Sequence, residues 1–331
     1  MSLDAIAALL RRLRDDPEDR DAWRVLKDAL EERGDPRSAR VADDLERDPE
    51  LARLEPFARV PSTRLAPSEG TSSDAWSREL GLPDGVEARF RNGFVYELRV
   101  PWSAPDAWGC LSATLDHPLG AMLRSVRMLG TTPSGEAGED LVRRLLRTPG
   151  LERLVGIAIE HPLSMEKVRI LVTELPDTHR LLSLARCRLT DAHLQVIAWL
   201  RSSSPIEHLG LSSNRLSERG LEELARWSAL RDLWVTNNPG MRIDGDWSSA
   251  VIPKLRRLHV AGCAMDDRGA LTLLRHGSHL EALSLGPVRL PEDAFGPPDK
   301  AWRILSLAGE VRGLGRLAES PHVQELRKLE V

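Results

Sequence analysis

The sequence HRLLSLARCRL, from His179 to Leu189, is followed by four related stretches. They are IEHLGLSSNRL from Ile206, LRDLWVTNN from Leu230, LRRLHVAGCAM from Leu255 and LEALSLGPVRL from Leu280. All five have apolar residues at the fourth and sixth positions, and four of them have Asn or Cys at the ninth position. Looser copies begin at Val95, Leu123, Leu151, Trp302 and Val323. A segment that returns at a nearly fixed spacing predicts a repeat architecture.

Alternating apolar positions predict a short strand in each copy, whose fourth-position residues recur every 21 to 28 residues. Helical stretches with Thr or Ser start signals follow two of these strands, at Thr190 and Ser217. The copy at Leu151 leaves two registers open, because either Leu154 or the pair Ile157 and Ile159 fits the strand. In the last copy we place Leu326 at the fourth position.

Residues 94–331 resemble a leucine-rich repeat array of the long, ribonuclease-inhibitor-like kind. The resemblance rests on LxxLxLxx(N/C)xL and on the helix entry Leu189-Thr190-Asp191-Ala192-His193-Leu194. It implies an α/β solenoid, with a curved parallel sheet inside and helices outside, because one repeat cannot bury its own apolar face. It also implies that Cys187 and Cys263 are buried beneath the sheet, as Asn is at the same position.

Residues 1–60 have the apolar periodicity of helices and predict a small all-α N-terminal domain. We expect its second helix, after Pro17, to bury Ala22, Val25, Leu26, Ala29 and Leu30. The segments Ser2-Leu3-Asp4 and Asp28–Arg37 resemble the bacterial repeat-companion domain, and Phe90–Phe94 resembles its R-x-G-F entry into the repeats. This resemblance implies an architecture and no activity. We therefore predict a helical domain over 1–60, a linker and array entry over 61–93, and the array over 94–331.

Composition limits the kinds of partner and location. Lys and Arg total 46 against 50 Asp and Glu, so the net charge of −4 gives no general attraction to nucleic acid or anionic membranes. No uncharged apolar stretch is long enough to cross a membrane. Three Cys without a CxxC pair indicate a reducing compartment. We expect a cytoplasmic bacterial protein, monomeric when free, with no nucleic-acid or membrane partner.

Motifs of catalysis and cofactor binding are absent from the sequence. It has no G-x-x-x-x-G-K-[ST], no G-x-G-x-x-G after a strand and no G-x-S-x-G. Its nine His do not have metal-ligand spacing. We therefore predict a chain that is not an enzyme and has no cofactor.

One face of the predicted sheet carries the side chains that suggest a site. The third and fifth positions of each strand point away from the core, and neighbouring strands are about 4.8 Å apart. Asp232 should therefore lie beside Arg257, and Trp234 beside His259. An exposed Trp among Arg, His and Asp is typical of a binding hot spot. Alternatively, Trp234 only covers the sheet and Asp232 forms a weak surface ion pair worth about 0–1 kcal/mol.

From these residues we predict a non-enzymatic protein-protein interaction module or scaffold. Its partner protein would bind the concave face at His208, Asp232, Trp234, Arg257 and His259. One alternative is an inhibitor or immunity-like protein that blocks an enzyme, which a strongly acidic face would favour. A second alternative is an enzyme with a site at the domain junction, which a buried, perturbed carboxylate or His there would favour.

Overall fold

A computed structural model describes residues 3–16, 19–46, 82–83, 85–91, 94–104, 107–130, 136–201, 203–242 and 246–265. Nearer the C-terminus it describes residues 269, 273, 277, 279–286, 288–289, 304–307, 311–312 and 328–330. The chain forms two compact units. One is Met1–Gly130 with Arg147–Ile157, and the other is Thr131–Leu146 with Ala158–Val331. The domain limits expected from the sequence stay a prediction.

The first unit begins with three helices, α1 (Leu3–Asp15), α2 (Arg20–Glu32) and α3 (Arg37–Glu46). The Asp19 carboxylate caps α2 by accepting a hydrogen bond from the Ala22 amide at 3.0 Å. Their apolar faces share one core with Phe94 and Met122, so these helices pack on the first part of the sheet. The predicted burial of Val25 is wrong, because it is 49% exposed and Trp23 is buried instead. Trp23, Leu26 and Leu30 form the inward face of α2, and Val25 lies outside that face.

The sheet of the first unit contains β1 (Glu87–Arg91), β2 (Phe94–Pro101) and β3 (Ser125–Leu129), with helix α4 (Ala107–Asp116) and a 3₁₀ helix (Pro118–Met122) between β2 and β3. Strands β2 and β3 are parallel, whereas β1 is antiparallel to β2. No strand was predicted where β1 lies, only a linker and array entry over residues 61–93. The two residues between β1 and β2 in the sequence are Asn92-Gly93, a dipeptide that signals a hairpin.

The second unit repeats a strand followed by a helix. Its helices are α5 (Glu136–Leu146), α6 (Met165–Glu174), α7 (Asp191–Leu200), α8 (Glu218–Glu222) and α9 (Asp246–Val251), and 3₁₀ helices lie at Glu223–Arg226 and Ile252–Lys254. The predicted helix starts are present, since α7 follows Thr190 and α8 follows Ser217. In the described residues, no helix is both long enough and apolar enough to cross a membrane.

Strand β4 (Gly156–Glu160) follows a 3₁₀ helix (Leu151–Arg153) at the division between the units. The following strands are β5 (Leu181–Ser183), β6 (His208–Gly210), β7 (Asp232–Trp234), β8 (Arg257–His259), β9 (Ala282–Leu285), β10 (Val288–Arg289), β11 (Ile304–Leu307), β12 (Val311–Arg312) and β13 (Lys328–Glu330). Strands β5 to β9 pair in parallel in chain order, followed by β11 and β13. Strands β10 and β12 form a separate parallel pair. The result is a mixed α/β fold with a mainly parallel sheet, while its curvature stays a prediction.

The register agrees with the sequence pattern wherever the pattern is intact. Leu182, Leu209, Leu233 and Leu258 lie opposite one another across β5 to β8, and each is 0% exposed. These fourth-position leucines form the core beneath the sheet, because burying apolar surface is the main driving force for folding.

The structure selects one of the two open registers in the Leu151 copy and corrects the expected register of the last copy. The strand of the Leu151 copy contains Ile157 and Ile159, and Leu154 precedes it. In the last copy Leu329 pairs with Leu305, so the predicted fourth position at Leu326 is wrong by three residues. Counted along the sequence from the observed register, the sixth residue is apolar in both copies. The rejected register would put Gly156 or Lys328 there.

The ninth-position side chains connect each repeat to the preceding one. Asn214 donates hydrogen bonds to the carbonyls of Leu184 and Leu211, both at 2.8 Å, and accepts one from the Leu189 amide at 2.9 Å. Asn238 bonds the Leu211 and Val235 carbonyls in the same way. These bonds satisfy backbone groups that the short strands leave unpaired under the sheet.

The two cysteines at this position make the equivalent bonds through sulfur. Cys187 Sγ donates to the Ile159 carbonyl at 3.2 Å, and Cys263 Sγ donates to the Val235 carbonyl at 3.0 Å. Cys187 is buried as expected, and its burial raises the pKa of the thiol to about 12. Cys263 is only half-buried, so the predicted full burial is wrong there, although burial still raises the pKa of its thiol to about 11.

Replacing Asn214 by Ala should destabilise the fold by about 3 kcal/mol, because buried backbone groups lose their partners. Chemical denaturation measures the free energy of unfolding. Arg215→Ala is the control, since this neighbouring side chain is exposed and its removal should cost no more than about 0.5 kcal/mol. Equal stabilities of the two variants would show that the ninth-position bonds do not stabilise the repeats.

Candidate functional site

The structure brings all five predicted site residues together on strands β6, β7 and β8. His208 pairs with Asp232, which pairs with Arg257. These three are third-position residues. In the row of fifth-position residues, Trp234 pairs with His259. The side chains lie on the opposite face from the core leucines, because successive residues of a strand alternate. We call these five residues the sheet-face cluster, and their role in binding stays a prediction.

Asp232 is the centre of the sheet-face cluster. Its carboxylate is 1% exposed, and its Oδ2 contacts both His208 Nδ1 and Arg257 Nη2. Arg257 Nε donates to Oδ1 at 2.8 Å, so the guanidinium binds both oxygens. Burial alone raises the pKa of Asp232. The hydrogen bonds from His208 and Arg257 and the positive charge of Arg257 outweigh burial and hold this pKa below its usual value.

This burial corrects one alternative from the sequence analysis. The Asp232–Arg257 pair is not a weak surface ion pair, because both side chains are largely removed from water, with 1% and 12% exposed. Removing one partner of such a pair leaves a buried charge uncompensated, at a cost of several kcal/mol. The pair therefore fixes the orientations of the side chains around it.

Trp234 is also more buried than expected. The indole is 5% exposed, so the predicted exposed aromatic side chain is wrong. Its ring stacks on the His259 imidazole, with ring centroids 5.4 Å apart and planes inclined by 10°. A nearly parallel stack covers one face of the indole, which explains much of the lost exposure. Trp234 therefore supports His259 and presents little surface of its own.

Ser183 lies on β5, in the same row of fifth-position residues as Gly210, Trp234 and His259. It was not among the residues predicted from the sequence. It is buried, and its Oγ has no hydrogen-bond partner in the described structure. A Cβ on residue 210 would lie 2.7 Å from this oxygen, so any larger residue there would displace the Ser183 side chain. His208 does not hydrogen-bond the Ser183 hydroxyl, so these two residues do not form a nucleophile and its base.

No group of three or more potential metal ligands occurs within the described residues. His279 Nε2 contacts the Ile252 and Leu255 carbonyls, both at 3.1 Å, which gives this imidazole a structural role.

A second polar group lies on the sheet of the first unit, and the sequence analysis missed it. It consists of Glu97 and Arg99 on β2, Arg127 on β3 and Arg89 on β1. Glu97 is the third-position residue of the Val95 copy, and Arg99 and Arg127 are fifth-position residues. The rule that identified the sheet-face cluster would have found them if applied to the looser copies.

No family model matches the chain, and no curated protein matches it. Solved structures similar to it include an internalin from Listeria monocytogenes, with 14% identity and a TM-score of 0.41. TLR13 in a complex with ssRNA13 has 18% identity and a TM-score of 0.33. Each match covers 63% of this chain, with 54% of the internalin and 25% of TLR13. The chain thus spans about half of the internalin and a quarter of TLR13.

The strands, helices and ninth-position bonds of the described repeats are themselves those of a leucine-rich repeat fold. The ribonuclease-inhibitor-like subtype and the repeat-companion domain stay predictions.

Trp234→Ala should destabilise the fold by about 3–5 kcal/mol, because a large buried side chain leaves a cavity. Trp199→Ala is the matched control, since Trp199 is 70% exposed on α7 and its loss should cost no more than about 0.5 kcal/mol. Chemical denaturation of both variants tests this, and a Trp234→Ala cost as small as that of Trp199→Ala would contradict the observed burial.

Asp232 should contribute stability at neutral pH that is lost in acid. Its pKa in the folded chain is below its ordinary value of 3.8, so protonation favours the unfolded chain. The contribution is complete above the unfolded pKa and disappears as pH falls through the folded pKa. Unfolding free energy measured from pH 7 to pH 2 should therefore fall more steeply for the native chain than for Asp232→Asn. Parallel curves would contradict the low pKa.

Proposed function

We propose that the chain is a non-enzymatic binding module whose sheet-face cluster contacts a partner protein. One observation carries this proposal. The buried Asp232 carboxylate holds His208 and Arg257 in fixed orientations on an otherwise regular sheet. Side chains that are already ordered lose little conformational entropy when they bind, so more of their interaction energy appears as affinity.

The burial of the cluster assigns different roles to its members. Asp232 and Trp234 are positioning residues, because 1% and 5% exposure leave them little surface for contact. His208 and Arg257 have 16% and 12% of their side chains exposed, and His259 is half-buried. We infer that His208, Arg257 and His259 make the contacts, through their imidazole and guanidinium groups.

The charge of the cluster argues against the inhibitor alternative. A strongly acidic face would favour an immunity-like protein that blocks an enzyme. This cluster has one carboxylate, which is fully engaged by Arg257 and His208. The proposal thus favours a partner with hydrogen-bond acceptors and apolar groups over a strongly basic one. Cytoplasmic location, a monomeric free state and the absence of nucleic-acid and membrane partners belong to the same proposal.

The test begins by capturing the partner. A photo-cross-linking amino acid at Thr236, half-buried just beyond β7, should link a partner that contacts the cluster. The same amino acid at exposed Arg219 on α8 is the control, and it should not link the same protein.

Calorimetry with the purified partner then measures affinity. His208→Ala and His259→Ala should each weaken binding by about tenfold or more, which corresponds to about 1.4 kcal/mol. Trp199→Ala should leave it unchanged. Unchanged affinity in both His variants, with their folds intact, would remove the cluster from the interface.

A further inference from the structure

Three guanidinium groups surround one carboxylate on the sheet of the first unit. Arg89 lies opposite Glu97 across β1 and β2, and Arg99 lies opposite Arg127 across β2 and β3. We call these four residues the arginine group. They point to the same face, and their burial is high for charged side chains. Arg127, Arg99 and Arg89 have 10%, 20% and 36% of their side chains exposed.

Glu97 is already saturated by two of the three arginines. Its Oε1 accepts from Arg99 Nε at 3.0 Å, and its Oε2 accepts from Arg127 Nε at 3.1 Å and Nη2 at 3.0 Å. Burial raises the pKa of Glu97, but the charge and hydrogen bonds of Arg127 and Arg99 outweigh it and lower the pKa. Glu97 therefore remains ionised and contributes one negative charge.

Arg89 is the arginine that Glu97 does not satisfy. Its Nε is 3.8 Å from Glu97 Oε1, which is too long for a hydrogen bond, and the Arg89 side chain forms no hydrogen bond within the described structure. Burial, and then repulsion from Arg99 and Arg127, lower the pKa of its guanidinium. Repulsion of this kind is expected where positive charge is in excess.

The remaining nearby carboxylate compensates little of that excess. Glu87 Oε2 is 4.0 Å from Arg99 Nη1, and the Glu87 side chain is 69% exposed, so water screens this pair. The arginine group thus contains three positive charges and one carboxylate, and the carboxylate of Glu87 lies outside it. Partly buried cations are costly without a counter-charge, and a planar guanidinium fork suits a carboxylate or a phosphate.

We propose that the arginine group binds one oxyanion, a phosphate or a carboxylate group, between Arg89 and Arg99. Arg89 contributes its unused N–H groups and Arg99 its Nη groups, while Glu97, itself bound by Arg127, holds Arg99 in place. This site goes beyond the proposed partner-binding function and lies in the other unit, so either proposal can fail alone.

The test titrates the full chain with sodium phosphate and, separately, with sodium acetate. Ionic strength is held constant with sodium chloride, and calorimetry and thermal unfolding report binding. A ligand that binds only the folded chain raises its melting temperature. Phosphate or acetate should therefore bind and raise the melting temperature where chloride does not, and the stronger of the two identifies the oxyanion. If neither exceeds chloride, the site does not exist.

Arg89→Gln is the main variant, because Arg89 makes no hydrogen bond that the fold depends on. It should bind the oxyanion at least about tenfold more weakly, since a charge-assisted hydrogen bond contributes enough for that change. Arg89→Lys keeps the charge without the fork and provides a second measurement. Arg219→Gln, on α8, is the control and should bind like the native chain.

Glu97→Gln separates a binding role from a structural one. It removes the internal carboxylate, so the remaining positive charge should bind the oxyanion more tightly than in the native chain. A structural ion network would instead show a lower melting temperature and no gain in binding. That result, or native affinity in Arg89→Gln, would overturn the proposal.

Discussion

The parallel register of very short strands is the constraint on which the rest of the structure depends. Strands β5 to β8 contain three residues each, so their own hydrogen bonds are few. The ninth-position side chains complete the backbone hydrogen bonding, as Asn214 does by bonding the carbonyls of Leu184 and Leu211. Because the side-chain period of a strand is two, one register places every core leucine inward and every sheet-face residue outward.

The same register places an ionised carboxylate where water hardly reaches it. Asp232 compensates for its burial by binding Arg257 at both oxygens and His208 at one. A buried ion pair adds little net stability, but it restricts the arrangements that the side chains can adopt. On a sheet used for recognition, that restriction is useful, because the contact groups are ordered before a partner arrives.

Much of this arrangement was predictable from the sequence, because the strands with intact motifs have no competing register. The pairs Asp232–Arg257 and Trp234–His259 follow from counting along the repeat. The strand register of the degenerate copies could not be predicted, for a physical reason. LERLVGIAI and VQELRKLEV each fit two registers that are three residues apart, because both registers place an apolar residue at the fourth position.

Burial within the sheet-face cluster was not predictable in this way. A strand pattern shows which face a side chain is on, but not how neighbouring side chains cover it, as His259 covers Trp234. The backbone conformation of the turn before the ninth position could not be predicted either. Its residue has a positive φ in four repeats, at 59° for Arg186, 58° for Ser213, 55° for Asn237 and 74° for Gly262. Only Gly262 is a glycine, and Asn237 also tolerates this conformation, whereas Arg186 and Ser213 adopt it at a conformational cost.

The central claim is that Asp232 and Arg257 are coupled as a buried pair. A double-mutant cycle with Asp232→Asn and Arg257→Met, read from unfolding free energies, measures that coupling directly. Arg256 and Glu281 provide the comparison, because they form a bidentate pair one residue earlier with 55% and 30% of their side chains exposed. The account predicts a coupling of about 1.5 kcal/mol or more for Asp232–Arg257 and about 0.2–1 kcal/mol for Arg256–Glu281. Equal couplings within error would contradict it.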